Sequence, residues 1–224
     1  GEPEVRAARV PSQAVWEALQ PCAGSTVLAA DPFPLLWQPA WLSEEQGLLL
    51  LEAAEEAGLW EASPLASSGG PAGSRISESA VLAAGRGLPS AAATAVEEVL
   101  KRAASAFGLP FTHMEPPQLV RYGPGGKYAP HVDWGGPQDA SLWLAGQRVA
   151  SALVYLSSLA PDVAAVGGAT CFPRLGVRVF PRAGAALLWP NVDASGVPLA
   201  ETEHEAEPLA PDQASASKAP WAYL

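Results

Sequence analysis

Glycine and proline cut the second half of this chain into pieces too short for long helices. Beyond Pro110 the apolar runs are Gln118–Tyr122, Tyr128–Asp133, Ser141–Leu144, Arg148–Leu156, Ala169–Phe172, Val177–Phe180 and Ala185–Trp189, and glycines and prolines fall between them. Runs of this length with turn residues between them read as strands of an antiparallel barrel or sandwich. The 21 glycines and 23 prolines among 224 residues make the punctuation general. They form about a fifth of the chain, against about 12% in average usage.

Helical signals are confined to the first half. Ser12 to Leu19 suits a short helix that Pro21 ends. Ser43 and Gln46 form a capping-box pattern, Leu49, Ala53 and Ala57 continue an apolar face, and Gly58 is a natural stop. A further helix fits Ser90 to Phe107, closed by Gly108, with Glu97–Lys101 and Glu98–Arg102 as i,i+4 pairs on its wet side. Ala66–Ser74 reads as a Ser/Gly/Pro loop. The expected architecture is α+β, with helices buttressing a sheet. Residues 1–30 read as a leader, about 31–110 as the helical buttress and about 111–224 as the strand-built core.

Charge narrows the function. The formal net charge is -10, and only three lysines are present. A basic face for nucleic acid is not expected. No apolar run approaches the roughly 18 residues that span a bilayer. Gly1-Glu2-Pro3-Glu4 has neither the basic start nor the apolar stretch of a signal peptide. Cys22 and Cys171 are too far apart for a metal-type pair; a disulfide and two free thiols are both open.

Three histidines remain to be weighed. His113 has no ligand-type neighbour at useful spacing and reads as an ordinary side chain. In His131-Val132-Asp133 the imidazole and the carboxylate are i,i+2, so on a strand they share a face. They are two thirds of the facial triad of two histidines and one carboxylate, which leaves coordination positions open on Fe(II). His204 is the histidine available to complete it. Alone, His-x-Asp also reads as a solvated turn pair, and the same three ligands also suit a tetrahedral zinc with an open position.

The blocks around this motif occur in a telling order. They are Arg121-Tyr122, Gly126-Lys127-Tyr128, His131-Val132-Asp133-Trp134, Arg148 to Leu156, Gly167-Gly168-Ala169-Thr170-Cys171-Phe172-Pro173, Pro181 to Trp189, and His204. The chain resembles the prolyl 4-hydroxylase family of Fe(II)/2-oxoglutarate dioxygenases from about Asp31 to the C-terminus, most closely from Leu119 to Trp189. Arg75-Ile76-Ser77 stands where that family tends to have Arg-Thr-Ser. The resemblance implies a double-stranded β-helix, or jelly-roll, barrel. It also implies Fe(II) on His131, Asp133 and His204, with 2-oxoglutarate and O2 as co-substrates and ascorbate as a helper. Lys218 would pair with the far carboxylate of 2-oxoglutarate, Tyr122 would hydrogen-bond the co-substrate, and Ser151 stands at a threonine position near the same carboxylate. The implied substrate is a proline-rich peptide, and the implied compartment is the endoplasmic reticulum or the secretory route.

Other residues have two readings. Trp134 and Tyr128 flank the motif and suit stacking on a substrate proline as well as plain packing. Arg148 suits a substrate contact or a solvated charge paired with a neighbouring acid. Leu153, Leu187 and Trp189 are expected in the core. The chain departs from the family at Ala169, where an acid is usual, and in the fourteen-residue step from His204 to Lys218, which is longer than the family's. These departures keep three alternatives open: the same iron chemistry on another substrate, a barrel that binds peptide without turnover, and a zinc hydrolase.

Overall fold

The computed structural model describes residues 11–21, 24–64, 73–83, 85–136, 146–159, 167–208 and 221–223. The local signals for helices act as expected. Helix α1 spans Pro11–Ala18, α2 spans Glu44–Glu56 and α3 spans Ser90–Phe107. Ser43 Oγ accepts the Gln46 N–H at 3.1 Å, and Gln46 Oε1 accepts the Ser43 N–H at 3.2 Å. Both ends of the capping box are therefore closed. Ser43→Ala should cost about 1 kcal/mol in urea unfolding. An unchanged midpoint would show that tertiary packing alone holds this end of α2.

Gly108 ends α3 in the left-handed conformation, φ 62°. Ala92, Ala95, Val96, Val99, Ala103 and Phe107 form the buried face of α3. On its wet side Glu97 and Lys101 pair at 2.6 Å. Arg102 instead donates to the Trp41 carbonyl, and Glu98 accepts from Gln46 Nε2 at 2.8 Å, joining α3 to α2.

Thirteen strands are described, all paired antiparallel. The first half of the chain supplies β1 (Thr26–Ala29), β2 (Leu35–Gln38), β3 (Glu61–Ala62), β4 (Arg75–Ile76) and β5 (Glu78–Val81). The second half supplies β6 (Gln118–Tyr122), β7 (Lys127–His131), β8 (Ala150–Val154), β9 (Thr170–Phe172) and β10 (Val177–Val179). It also supplies β11 (Ala186–Pro190), β12 (His204–Ala206) and β13 (Trp221–Tyr223). The region expected to be a helical buttress thus also contributes four strands, β2 to β5. They are two to four residues long, too short to show a period of two. β1, within the stretch read as a leader, pairs with β2 and so joins a sheet. The run Ser141–Leu144 lies outside the described residues.

The strands form three sheets, ordered β1-β2-β11-β8, β10-β9-β12-β7-β4 and β13-β6-β5-β3. Strand β11 is buried along its whole length. Its alternation divides the interior in two. Ala186 and Leu188 face the helices with Leu50, Val99 and Phe107. Leu187 and Trp189 face a second core with Phe33, Leu35, Tyr155 and Phe172, where the first two sheets meet Val120 and Tyr122 of β6. Leu153 packs against that second core, so Leu153, Leu187 and Trp189 are core residues.

A glycine ties the helical layer to the first sheet. The Gly184 carbonyl, just before β11, accepts the N–H of Trp41 at 2.6 Å and of Leu42 at 3.0 Å, at the entry to α2. Gly184 has φ 78°. Among the described residues, no helix is long and apolar enough to cross a membrane.

Candidate metal centre

The second sheet brings the two distant histidines together. His131 ends β7, His204 begins β12, and the two are direct partners in the antiparallel register. Their ring centroids are 4.3 Å apart. Asp133 lies just past the end of β7, so the strand is shorter than the expected Tyr128–Asp133. Its carboxylate still converges: Oδ1 is 3.8 Å from Nε2 of His131 and 3.8 Å from Nε2 of His204. The three ligand atoms lie within 4.8 Å of one another. His113 is exposed in a short 3-10 turn, Phe111–His113.

The backbone fixes both imidazoles. Nδ1 of His131 is 2.9 Å from the Ala129 carbonyl, and Nδ1 of His204 is 2.9 Å from the Thr202 carbonyl. A carbonyl only accepts, so each Nδ1 carries a hydrogen and each Nε2 is left facing Asp133. This is how metal-binding histidines are commonly oriented. Burial, followed by the neighbouring His204, pushes His131 well below its ordinary pKa against the pull of Asp133. Its Nε2 is therefore unprotonated at neutral pH. Burial alone would raise the Asp133 pKa, but His204, His131 and the Ser151 hydroxyl together hold it low. Two imidazole nitrogens and a carboxylate oxygen form a donor set that suits Fe(II) or zinc.

A bulge sets the aim of His131. His204 is opposite His131 and Ala206 is opposite Tyr128, so two steps on β12 face three on β7. In a regular strand, residues three apart point to opposite faces. Here the rings of Tyr128 and His131 stack, with centroids 3.5 Å apart and planes 16° apart. The Arg75 guanidinium, on the neighbouring β4, lies 4.6 Å over the Tyr128 ring. Phe172 stacks on His204 at 5.4 Å, and Trp189 meets it edge-on at 5.1 Å.

The remaining expected residues fall into place as follows. Ser151 Oγ donates to Asp133 Oδ2 at 2.6 Å, so it is turned toward the acidic ligand. Tyr122 is buried at the end of β6, and burial pushes its phenol far above the usual range, so it stays protonated. Trp134 donates its indole N–H to the Leu199 carbonyl at 3.0 Å. Arg148 grips Glu115 with two hydrogen bonds, Nε at 2.6 Å and Nη2 at 2.9 Å. Tyr122, Tyr128, Ser151, Trp134 and Arg148 line one cleft of about 1240 Å³ with the three ligands. Lys218 and Cys22 lie outside the described residues. Cys171 is a free, buried thiol that donates to Glu207 at 3.0 Å.

Two contributors were not singled out for a role from the residues. Arg75 appeared only within the resemblance, and its place over Tyr128 comes from the β4–β7 pairing. Asn191 follows β11 with no periodic or spacing signal at all.

Residues 117–221 match the family described as the 2OG-Fe(II) oxygenase superfamily. This stretch contains His131, Asp133 and His204. The chain is 37% identical over 117 residues to prolyl 4-hydroxylase subunit alpha-1 of Gallus gallus, a match covering 51% of this chain and 22% of that protein. The same subunit from Homo sapiens is also 37% identical over 117 residues, 51% of this chain and 21% of that protein. The chain thus spans about a fifth of the length of the curated relatives it matches. In structure the chain is similar to a viral collagen prolyl hydroxylase from Paramecium Bursaria Chlorella virus-1, described as a 2OG complex. The TM-score is 0.61 with 22% identity, covering 84% of this chain and 92% of that one. It is also similar to a Pseudomonas putida prolyl-4-hydroxylase, with TM-score 0.57, 17% identity and 95% of each chain covered. These likenesses bear out an oxygenase fold that mixes helices with antiparallel sheets.

Proposed function

We propose that this chain is an Fe(II)- and 2-oxoglutarate-dependent dioxygenase that hydroxylates proline in a peptide. The observation behind this reading is the aimed donor set. Two Nε2 lone pairs and one carboxylate oxygen meet in a cleft lined by aromatic and hydroxyl side chains. We read residues 31–224 as one dioxygenase domain. In this reading the first two sheets, which face each other across the second core, are the two halves of its double-stranded β-helix.

His131, Asp133 and His204 would hold the ion by one side and leave the other open. When bound, Fe(II) with 2-oxoglutarate and O2 supplies an oxidation that converts a C–H bond to C–OH and releases succinate and CO2. The protein's work is placement and exclusion of water. Tyr122, buried and protonated, offers an O–H to the co-substrate. Lys218 offers the cation for its far carboxylate, because an unpaired anion in a partly buried pocket is costly. Ser151 reaches the co-substrate site through the ligand Asp133. Trp134, Tyr128 and Arg148 stand at the cleft and are the proposed contacts of a peptide. Stiff polyproline II chains lose little entropy on entering such a cleft. Ascorbate and a place in the endoplasmic reticulum or the secretory route remain what the resemblance implies.

The test is Fe(II)-dependent succinate release with a proline-rich peptide, with free proline and with no substrate. Peptide should stimulate release most. Release coupled to a small molecule alone would move the substrate to another class, and peptide binding without any release would make this a binding module. Lys218→Ala should raise the 2-oxoglutarate concentration needed for half-maximal rate and leave Co(II) binding in place. Unchanged 2-oxoglutarate affinity would assign that carboxylate to another cation.

A further inference from the structure

Asn191 is fully buried just beyond β11. Its backbone is satisfied. The N–H donates to the Val149 carbonyl at 2.9 Å, and the C=O accepts the Leu199 N–H at 3.0 Å. Its side chain lies between two polar partners. Oδ1 accepts the Trp189 indole N–H at 3.0 Å, and Nδ2 donates to Ser151 Oγ at 2.8 Å. Ser151 in turn donates to Asp133 Oδ2 at 2.6 Å.

The direction of every bond in this chain follows from its first member. An indole N–H can only donate, so the amide oxygen must face Trp189. The amide NH2 then faces Ser151, whose oxygen accepts from it. Ser151 has one proton, and the ionised Asp133 can only accept it. The β8–β11 ladder holds the frame, because Ser151 and Trp189 are direct partners in its register.

We propose that Asn191 is a positioning residue for the metal centre. It orients the Ser151 hydroxyl so that its proton stays on Oδ2 of Asp133. Oδ1, the oxygen equidistant from both Nε2 atoms, is thereby reserved for the ion. A carboxylate turns easily about its terminal torsion. Without the tether, the Asp133 carboxylate can present either oxygen, or both, and the site loses its single geometry. This inference rests on the metal reading above and adds the device that selects the ligand atom.

The test is titration of the full chain with Co(II), read by its visible ligand-field bands and by calorimetry. Ser151→Ala and Asn191→Leu should each weaken Co(II) binding by about 10- to 100-fold and shift the bands. Ser151→Thr, which keeps the hydroxyl, should bind nearly as the parent does. Because Asn191 acts through Ser151, the double variant Ser151→Ala/Asn191→Leu should be no weaker than Ser151→Ala alone. Asn191→Leu strands the buried Trp189 N–H and is at risk of misfolding. Trp189→Phe/Asn191→Leu removes both polar partners together, a change that proteins tolerate better, and should show the same weakened binding. Parent-like affinity and bands in a folded Asn191 variant would overturn the proposal. So would losses that add in the double variant. If the parent chain binds no Co(II), the metal reading falls and takes this inference with it. Parent binding with unaffected variants removes this inference alone.

Discussion

Asp133→Ala should abolish succinate release and reduce Co(II) binding beyond the about 10- to 100-fold expected when a supporting hydrogen bond is lost. Asp133 supplies the only anionic atom among the three ligands, and its Oδ1 is 3.8 Å from each imidazole nitrogen. Without it, two neutral nitrogens face a dication with no charge to balance it. His204→Ala should fail in the same assays, since it removes the ligand contributed by β12. The measurements are Co(II) calorimetry and succinate release, made on variants whose circular dichroism matches the parent. Retained Co(II) affinity in Asp133→Ala would show that the ion binds elsewhere.

Gly184→Ala should be the most destabilising single-methyl change in the described chain. With φ 78°, an alanine there costs roughly 1–2 kcal/mol from the left-handed backbone alone. The new Cβ would also overlap the carbonyl oxygen of Leu42. Relief requires moving the segment whose Trp41 and Leu42 N–H groups both bind the Gly184 carbonyl. Each lost hydrogen bond adds about 1 kcal/mol. The sum, about 3–4 kcal/mol, is a large part of the ~5–15 kcal/mol that holds a domain of this kind. Urea unfolding measures it directly. Gly123→Ala is the control, because nothing lies within 4 Å of its added Cβ, and it should change stability by less than about 0.5 kcal/mol. Equal effects at the two glycines would refute the account.

What could be read from the sequence was largely what is decided within a few residues. The capping box at Ser43, the stop at Gly108 and the strand Gln118–Tyr122 depend on neighbours in the chain, and they appear where expected. Strands β1, β3 and β4 were invisible, since two to four residues carry no period and their pairing comes from partners far along the chain. For the metal centre, His131 and Asp133 were legible as a local pair. His204 was chosen because few histidines were available, and the β7–β12 register that seats it opposite His131 is a tertiary fact. The direction of the Ser151 hydroxyl was not legible either. It depends on Asn191, forty residues away, and on the β8–β11 ladder. Arg148 could be named, but its partner Glu115 lies thirty-three residues earlier.

The bulge in β7 has a consequence for the order of events when the protein is made. Pro130 has no N–H to give, and β7 runs between β12 and β4, where a proline is tolerated only at such an irregularity. A slip by one residue would bring Pro130 into a donating position and turn His131 to the opposite face. The ring's direction is therefore settled by strand pairing and by the Ala129 carbonyl, before any ion arrives. Small zinc-dependent domains work the other way, since there the ion itself drives the chain to fold. For this chain the expectation is that the sheet assembles first and is loaded afterwards. A chelator should accordingly strip the metal and leave a folded, reloadable apoprotein.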